Sequence, residues 1–287
     1  MRSCRIMLKV DFHTHTIKSE HAINTLEETL HQAAKIGLEA VAVTDHCPGV
    51  NSSSRRSPIQ TKEHSSWETE IKGPDIYYFN VLLTRYQAPP DIPVVLFKGI
   101  ECNILSEGNI ITDVPLKFAA QFDIVIASIH TFPFLFTVTS KDQVTEKMIE
   151  AMEHPIDIIG HPYIKSYCPH LEPVVKAAAE KRIALELNNN ALQLNKASSE
   201  EVVTMLRFAR KFHCRISLGS DSHMNNELGV DHDIDILIRE LNFPKELIVN
   251  TSLADARSYI AGRKKYRFEF MSERKSLIKN APLGYST

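Results

Sequence analysis

The stretch Val10-Asp11-Phe12-His13-Thr14-His15 is a short apolar run that ends in two histidines. Side chains two residues apart in a strand lie on the same face, so His13 and His15 can reach one metal ion together. Similar placements recur along the chain, and together they comprise His13, His15, His21, His46, Glu101, His130, His161, Asp221 and His223. Because parallel α/β barrels bring the C-terminal ends of their strands together, we predict that these nine residues form one metal cluster.

Short β-branched runs alternate with longer helical patterns along the chain, which indicates repeated βα units and a parallel sheet. Helix starts are marked by the capping sequences Thr25-Leu26-Glu27-Glu28 and Ser198-Ser199-Glu200-Glu201, and Gly37 is a natural helix stop. Further helices are predicted over residues 142–153, 172–181 and 233–241. Seven strands are predicted, over residues 8–13, 40–44, 94–102, 122–129, 156–160, 183–187 and 216–219.

The length of 287 residues suits one barrel-sized domain over residues 1–287. Residues 47–91 break the alternating pattern and are rich in Ser, Pro and charge, so we predict a loop insertion over the strand ends. The sequence does not separate an ordered lid from a disordered segment there. From residue 264 onward we predict a short solvated C-terminal tail.

The charges of the chain nearly cancel, with a formal net charge of -2 at pH 7. This balance gives no global reason to expect a polyanionic partner or a membrane surface. Five cysteines without a CxxC spacing fit a reducing compartment, and no apolar run is long enough for a signal peptide or a membrane span. We therefore expect a cytoplasmic protein with no membrane partner, whose oligomeric state the sequence leaves open.

Imidazole and carboxylate ligands together suit divalent ions, with Zn as the first choice and Mn or Fe as alternatives. One catalytic ion seldom has more than three or four protein ligands, so nine ligands imply two or three ions. Glu101 is the predicted bridging carboxylate. Asp11 and Asp45 stand beside predicted ligands, and each is either an acceptor that fixes an imidazole tautomer or a strand-end cap.

The ordered series of these motifs resembles the polymerase and histidinol phosphatase (PHP) superfamily, and within it the small single-domain trinuclear zinc phosphatases. The likeness spans roughly residues 8 to 260, and its motifs are His13-Thr14-His15, Thr44-Asp45-His46, Gly99-Ile100-Glu101, His130, His161-Pro162 and Gly219-Ser220-Asp221-Ser222-His223. It implies a distorted seven-stranded (β/α)7 TIM-like barrel with the metal cluster at the C-terminal strand ends. The long stretch between His46 and Glu101 departs from this subgroup and leaves the substrate class open.

The resemblance also implies how the ligands divide among three ions. His13, His15, Glu101 and Asp221 would hold one ion, Glu101, His130 and His161 a second, and His21, His46 and His223 the third. The expected enzyme is a hydrolase, a metal-dependent phosphoesterase that hydrolyses a small phosphomonoester by in-line attack of a metal-bridging hydroxide. Glu101 and Asp221 are then catalytic as metal ligands, and the acid for the leaving group is not identified. Candidate contacts to the phosphate or substrate are Arg55, Arg56, His64 and Lys165.

Three alternatives stay open from the sequence. A histidinol phosphatase would differ only in its substrate. A nuclease or nucleotide phosphodiesterase would fit the same superfamily, although the near-neutral composition without a polybasic groove disfavours nucleic acid as a partner. A non-catalytic metal-binding module is the alternative of a different class, and missing ligands would favour it, whereas here the set of nine is complete.

Overall fold

The computed structural model describes residues 8–19, 21–47, 76–106, 111–131 and 136–280. Within these ranges seven strands form one sheet in the order β1 to β7, and each neighbouring pair is parallel. This confirms the predicted parallel sheet. The strands are β1 Val10–Thr14, β2 Ala40–Val43, β3 Val95–Asn103, β4 Ile124–Ser128, β5 Ile158–Ile159, β6 Ala184–Asn188 and β7 Ile216–Gly219.

The first and last strands meet and bring the sheet close to a closed barrel. The backbone N–H of His15 donates to the carbonyl of Ser222 at 2.9 Å, and that of Asp221 donates to the carbonyl of His13 at 2.9 Å. Thr14 and Ser222 form a parallel bridge just beyond the end of β7. The predicted distorted seven-stranded (β/α)7 TIM-like barrel is confirmed, and it closes at the end where the predicted ligands lie.

Helices cover the outer face of the sheet, and the main apolar core lies between the two layers. Helix α1 begins with the predicted capping box, in which Thr25 accepts from the N–H of Glu28, and it ends at Gly37 in the left-handed conformation. The helices are α1 Leu26–Ile36, α2 Ile76–Thr84, α3 Leu116–Ala119, α4 Lys141–Ala151, α5 Leu171–Glu180, α6 Asn189–Gln193, α7 Ser199–Phe212, α8 His232–Glu240 and α9 Leu253–Asn280. Across the described residues, no helix combines the length and apolarity that a bilayer span requires.

Helix α2 lies inside the stretch predicted as a loop insertion over residues 47–91. Residues 48–75 of that stretch are outside the described residues. In the described part, Phe79 and Leu82 are buried in the main core, because their spacing of three places both on one helical face. The prediction of a loop is therefore wrong for residues 76–84.

Residues 264–280, predicted as a solvated tail, form part of helix α9. Arg263 and Arg267 lie one turn apart, and both guanidinium groups reach the buried carboxylate of Asp157. Arg267 also donates to the carbonyl of Phe122 at 2.6 Å. The inner face of this segment carries arginine in place of apolar residues, so it has no apolar periodicity to indicate a packed helix.

The start of α9 also covers the barrel interior at the end opposite the predicted ligands. Ala256, Tyr259 and Ile260 form one apolar cluster with interior residues such as Val10 and Phe12. The Tyr259 hydroxyl donates to the carbonyl of Asp157 at 2.5 Å. Because α9 covers the opposite end of the barrel, we expect the chemistry at the C-terminal end, where the predicted ligands lie.

Candidate metal centre

The structure brings all nine predicted ligands together at the C-terminal end of the barrel. His13 and Glu101 lie within β1 and β3, and the other seven stand in the segments that follow the strands. Parallel strands converge at this edge, so residues as far apart in sequence as His13 and Asp221 come within 3.6 Å. Every predicted metal ligand is therefore in one place.

Glu101 lies at the middle of this group and is only 1% exposed. Its Oε2 is 3.4 Å from the Nε2 atoms of both His13 and His15 and 3.0 Å from Nδ1 of His46. Its Oε1 is 3.5 Å from Nε2 of His130 and 3.3 Å from Nε2 of His161. The two oxygens face different sets of imidazoles, as in a carboxylate that bridges two ions.

Asp221 and the remaining histidines complete the group. Oδ1 of Asp221 is 3.3 Å from Nε2 of His15, and the Nε2 atoms of His21 and His46 are 3.3 Å apart. Three sets place their ligand atoms within 4.8 Å of one another, namely His15 with His46 and His223, His13 with His15 and Asp221, and His46 with Glu101 and His130. The second set agrees with the ligand groups that the resemblance implies. The first set differs, because it groups His15 with His46 and His223, which the resemblance assigns to another ion.

Hydrogen bonds at Nδ1 fix the tautomers of three imidazoles. Nδ1 of His13 is 2.7 Å from Oε1 of Glu186, and Nδ1 of His130 is 2.7 Å from Oδ1 of Asn103. Nδ1 of His223 is 2.9 Å from the carbonyl of Asp221. A carboxylate, an amide oxygen and a carbonyl only accept, so each Nδ1 carries the proton. The lone pair at Nε2 of each ring is then free to bind a cation.

His15 reaches the same tautomer through a relay. Oγ of Ser19 donates to Oδ1 of Asp45 at 2.7 Å, which uses the single hydrogen of the hydroxyl. Nδ1 of His15, 3.0 Å from the same Oγ, must therefore be the donor. Oδ2 of Asp45 accepts from the hydroxyl of Tyr78 on α2 at 2.6 Å.

Among the described residues, neither the carboxylate of Asp11 nor that of Asp45 bonds an imidazole nitrogen directly, although Asp45 fixes the tautomer of His15 through one intervening hydroxyl. Asp45 acts through Ser19, and Asp11 accepts backbone N–H groups. Oδ1 of Asp11 is 3.0 Å from the N–H of Ser220, and Oδ2 is 3.0 Å from that of Gly229. Asp11 thereby joins β1 to the segment that carries two of the predicted ligands.

The side chains of this centre have pKa values that are shifted far from their ordinary values, in opposite directions for different groups. Burial alone would lower the pKa of His13, but the carboxylates of Glu186, Glu101 and Asp221 outweigh it and hold that pKa well above its ordinary value. Burial would raise the pKa of Glu101, yet the neighbouring imidazoles, His13 first, hold it well below the usual range. For His15, burial and the nearby His46 lower the pKa well below its ordinary value. The central carboxylate is therefore ionised.

The donor atoms of the centre fit divalent metal ions. Oε1 of Glu101 is buried and has no hydrogen-bond partner among the described residues. The Nε2 atoms of His13, His15 and His130 face the carboxylate oxygens of Glu101 across the same space. A cation that displaces the protons held there would be bound by nitrogen and oxygen lone pairs, which is the donor set that divalent metal ions take.

A cavity of about 380 Å³ opens onto the centre. Beside seven of the nine predicted ligands it is lined by Ile129, Thr131, Ile164, Ser166, Tyr167, Ala191 and Lys196. The predicted substrate contact Lys165 is not one of these residues, because its ammonium group bonds Oδ1 of Asn195 at 2.6 Å and the carbonyl of Asn195 at 2.9 Å. The predicted contacts Arg55, Arg56 and His64 lie outside the described residues.

Sequence reasoning missed Glu186, which supports two ligands at once. Besides its bond to His13, its Oε2 accepts from the backbone N–H of His161 at 2.8 Å. Asn188, two residues further along β6, donates to Oε2 of Glu186 and to Oδ2 of Asp221, both at 3.2 Å. A signal was present, because a glutamate and an asparagine at alternate positions of a fully buried strand require polar partners.

Sequence reasoning also missed the acceptors Asn103 and Ser19, and Tyr167, whose hydroxyl lies 2.6 Å from Nδ1 of His161. Ser19 and Tyr167 are common polar residues in segments without a regular pattern, and Asn103 is the last residue of β3, one position beyond the predicted strand. Nothing in the sequence distinguishes them from surface residues, since their role depends on ligands that arrive from other strands.

Comparisons with known proteins agree with this geometry. A family model described as PHP domain matches residues 11–190. A protein named "probable phosphatase" from Caldanaerobacter subterraneus subsp. tengcongensis is 32% identical over 266 residues, which cover 91% of this chain and 94% of that protein. One of the same name from Caldicellulosiruptor bescii is 33% identical over 257 residues, covering 89% and 96% of the two chains.

A solved structure shows the same fold. Histidinol phosphate phosphatase from Lactococcus lactis, in complex with Zn, L-histidinol and phosphate, superposes with a TM-score of 0.57. The match has 18% sequence identity and covers 83% of this chain and 95% of that chain. At this identity the likeness establishes the architecture.

Proposed function

The chain belongs to the PHP domain family, and from that premise we propose that it is a metal-dependent phosphatase that acts on a small phosphomonoester. The observation that supports this most directly is the buried Glu101. Its two oxygens face two groups of imidazoles, and one of these oxygens has no hydrogen-bond partner among the described residues. The relatives named as phosphatases align with most of the chain, which supports the same activity.

We assign the nine residues to two or three divalent ions. The proposed ligands are His13, His15, Glu101 and Asp221 for one ion, Glu101, His130 and His161 for a second, and His21, His46 and His223 for a third. Zn is the first choice, supported by the imidazole-rich donor set and by the zinc in the structural neighbour, with Mn or Fe as alternatives. Such ions supply the positive charge that neutralises a phosphoryl group and lowers the pKa of water towards neutrality.

The residues around the ligands orient them for this chemistry. Glu186, Asn103 and Ser19 keep a proton at Nδ1 of three imidazoles, so that each Nε2 stays available in the centre. The cavity gives the phosphoryl group access from one side, which is compatible with in-line displacement by water. A monoester fits this site because its terminal phosphate can enter a concave pocket without the chain continuing on both sides.

The proposal is tested by the ratio of hydrolysis rates for an aryl phosphomonoester and the matching diester, with protein of confirmed Zn or Mn content. We expect a strong preference for the monoester. Asp221→Ala and His13→Ala should abolish most turnover while far-UV circular dichroism is retained, whereas His232→Ala, an exposed histidine paired with Asp233, should not. A ligand variant with a near wild-type rate would contradict the metal assignment.

Two other outcomes would redirect the assignment. A preference for the diester would favour a nuclease or nucleotide phosphodiesterase. Metal-loaded protein that binds phosphate compounds without turnover would be a non-catalytic module. The ligands in the Lactococcus lactis structure make histidinol phosphate the second candidate substrate, and it is assayed directly beside the aryl ester.

A further inference from the structure

The charged residues around the cavity are distributed unevenly. Of the described residues that line it, the two carboxylates, Glu101 and Asp221, both belong to the metal centre. Lys196 is the one lysine or arginine in the described lining, and it lies outside the set of predicted ligands. The part of the lining beyond the centre therefore offers a positive charge and, in the described residues, no negative charge.

The segment that carries Lys196 is fixed to the centre by hydrogen bonds. Asn190, at the start of this segment in α6, donates to the backbone carbonyl of Asp221 at 3.2 Å. The backbone N–H of Lys196 donates to the carbonyl of Ala191 at 2.9 Å, and the carbonyl of Lys196 accepts from the N–H of Lys165 at 2.9 Å. The backbone of Lys196 is therefore held in place beside the cavity.

The ammonium group of Lys196 is exposed and has no hydrogen-bond or ion-pair partner within the described part of the chain. Lys165 is a useful contrast, because its ammonium group is already bonded to Asn195. The cavity wall also includes the apolar side chains of Ile129 and Ile164. A ligand can thus place a phosphate at the centre, a carbon skeleton against the isoleucines and a second group near the lysine.

We propose that Lys196 binds a second anionic group of the substrate, so that the substrate class is a small phosphomonoester that also carries a carboxylate or another phosphate. This inference rests on the proposed phosphatase function. The charge of the reacting phosphoryl group is neutralised at the metal centre. The ammonium group of Lys196, which lies outside the centre, would instead pair with a second anionic group of the substrate. A substrate with a cationic amino group would meet an ammonium group of the same sign, which disfavours it.

Phenyl phosphate and two of its para-substituted derivatives test this inference with the metal-loaded protein. They are phenyl phosphate, 4-carboxyphenyl phosphate and 4-(aminomethyl)phenyl phosphate, which carry a neutral, an anionic and a cationic distal end. Each kcat/KM is divided by that for phenyl phosphate, and these ratios are compared among variants so that differences in leaving-group reactivity cancel.

We expect Lys196→Gln to lower the ratio for the carboxylate compound about five- to tenfold, mainly through KM, as for a partly exposed charge pair. Lys196→Glu should lower it further and raise the ratio for the aminomethyl compound. The matched control Lys176→Gln, at an exposed lysine of α5 outside the cavity lining, should leave both ratios unchanged.

An equal fall of all three kcat/KM values in Lys196→Gln would overturn the inference, because the lysine would then bind the phosphate that reacts. Unchanged ratios in both Lys196 variants, or the same change in Lys176→Gln, would overturn it as well. In each of these cases the protein still hydrolyses monoesters and the proposed function stands. Failure of the wild-type protein to hydrolyse any of the three esters would instead contradict the proposed function and, with it, this inference.

Discussion

Glu186 shows how one buried side chain can hold two ligands that come from different strands. Its carboxylate bonds Nδ1 of His13 and the backbone N–H of His161, and it is 1% exposed. Neither neighbour is close to Glu186 in sequence. The ligands stand at the ends of strands, which the sequence predicts. The hydrogen bonds that orient them form only when the closed barrel brings distant strands together.

Replacing Glu186 with glutamine tests this support. Glutamine is nearly isosteric but lacks the charge, and its amide can present a donor to Nδ1 of His13. We expect metal affinity to fall about 10- to 100-fold, the usual cost of changing a residue that orients a metal-bound histidine. The measurement is competition with a chromophoric chelator, and the exposed Glu180→Gln is the control. Unchanged affinity in Glu186→Gln would contradict the orienting role.

Gly219 stands where β7 passes closest to the same glutamate. A Cβ added there would lie 2.3 Å from Oε1 of Glu186 and 2.9 Å from Cβ of His13, so one of the two must move. We expect Gly219→Ala to destabilise the chelator-treated protein by about 1–3 kcal/mol in urea unfolding, as for other overpacked sites. It should also weaken metal binding.

Gly262 in α9 is the matched control for this substitution, because a Cβ there would meet nothing within 4 Å. Gly262→Ala should raise the free energy of unfolding by about 0.5–1 kcal/mol through helix propensity. If the two alanine variants were equally stable, the close approach at Gly219 would have no energetic consequence.

At the scale of elements, helix α2 is connected to the centre through one hydroxyl. Burial and the neighbouring Asp45 raise the pKa of Tyr78, so its hydroxyl stays protonated and donates to that carboxylate. Asp45 in turn accepts from Ser19, which accepts from His15. The position of α2 is therefore coupled to the orientation of a proposed ligand.

Removing the hydroxyl should weaken this coupling without removing the helix. We expect Tyr78→Phe to lower metal affinity by a factor below about 10, less than for a residue that touches the imidazole itself. Tyr86→Phe is the control, since its hydroxyl is buried without a partner among the described residues. Equal metal affinities in the two variants, measured by the same chelator competition, would rule out a role for Tyr78 in orienting His15.

The elements also show what the sequence could and could not predict. The seven strands are recognisable because runs such as Ile124–Ser128 are apolar on both faces and end in a loop. The part of helix α9 that follows Ile260 is not recognisable in this way, because its inner face bonds Asp157 with two arginines instead of packing apolar side chains. Helix α2 is only nine residues long, is apolar or aromatic at most of its positions rather than on one face, and follows a long polar stretch, so periodicity gives a weak signal there.

For the centre, the sequence predicts the proposed ligands but not the residues that orient them. A histidine at a strand end is visible as a local pattern. The bond between His13 and Glu186 joins residues 173 positions apart, and the relay through Ser19 depends on a short turn after β1. Such contacts are determined by barrel closure, which a local pattern does not encode.

At the scale of the whole molecule, metal binding is coupled to proton release. In the metal-free protein the pKa of His13 is held well above its ordinary value, and that of His161 is also raised, because the carboxylates around them outweigh burial. His13 is therefore largely protonated at pH 7 and His161 holds a proton more readily than an ordinary histidine, whereas burial and neighbouring imidazoles lower the pKa of His15 and bring that of His21 to about 4. Ligand nitrogens must lose their protons to bind an ion.

We therefore expect a net release of protons when Zn binds at pH 7, and a metal affinity that falls as the pH is lowered. Titration calorimetry in buffers of different ionisation enthalpy measures the number of protons released. Glu186→Gln removes one of the anions that raise the pKa of His13. In this variant a smaller fraction of His13 is protonated at pH 7, so zinc should displace fewer protons. Glu180→Gln should match the wild-type protein. A binding enthalpy that does not depend on the buffer would show that the histidines are already neutral, and would contradict the charge separation described for the metal-free centre.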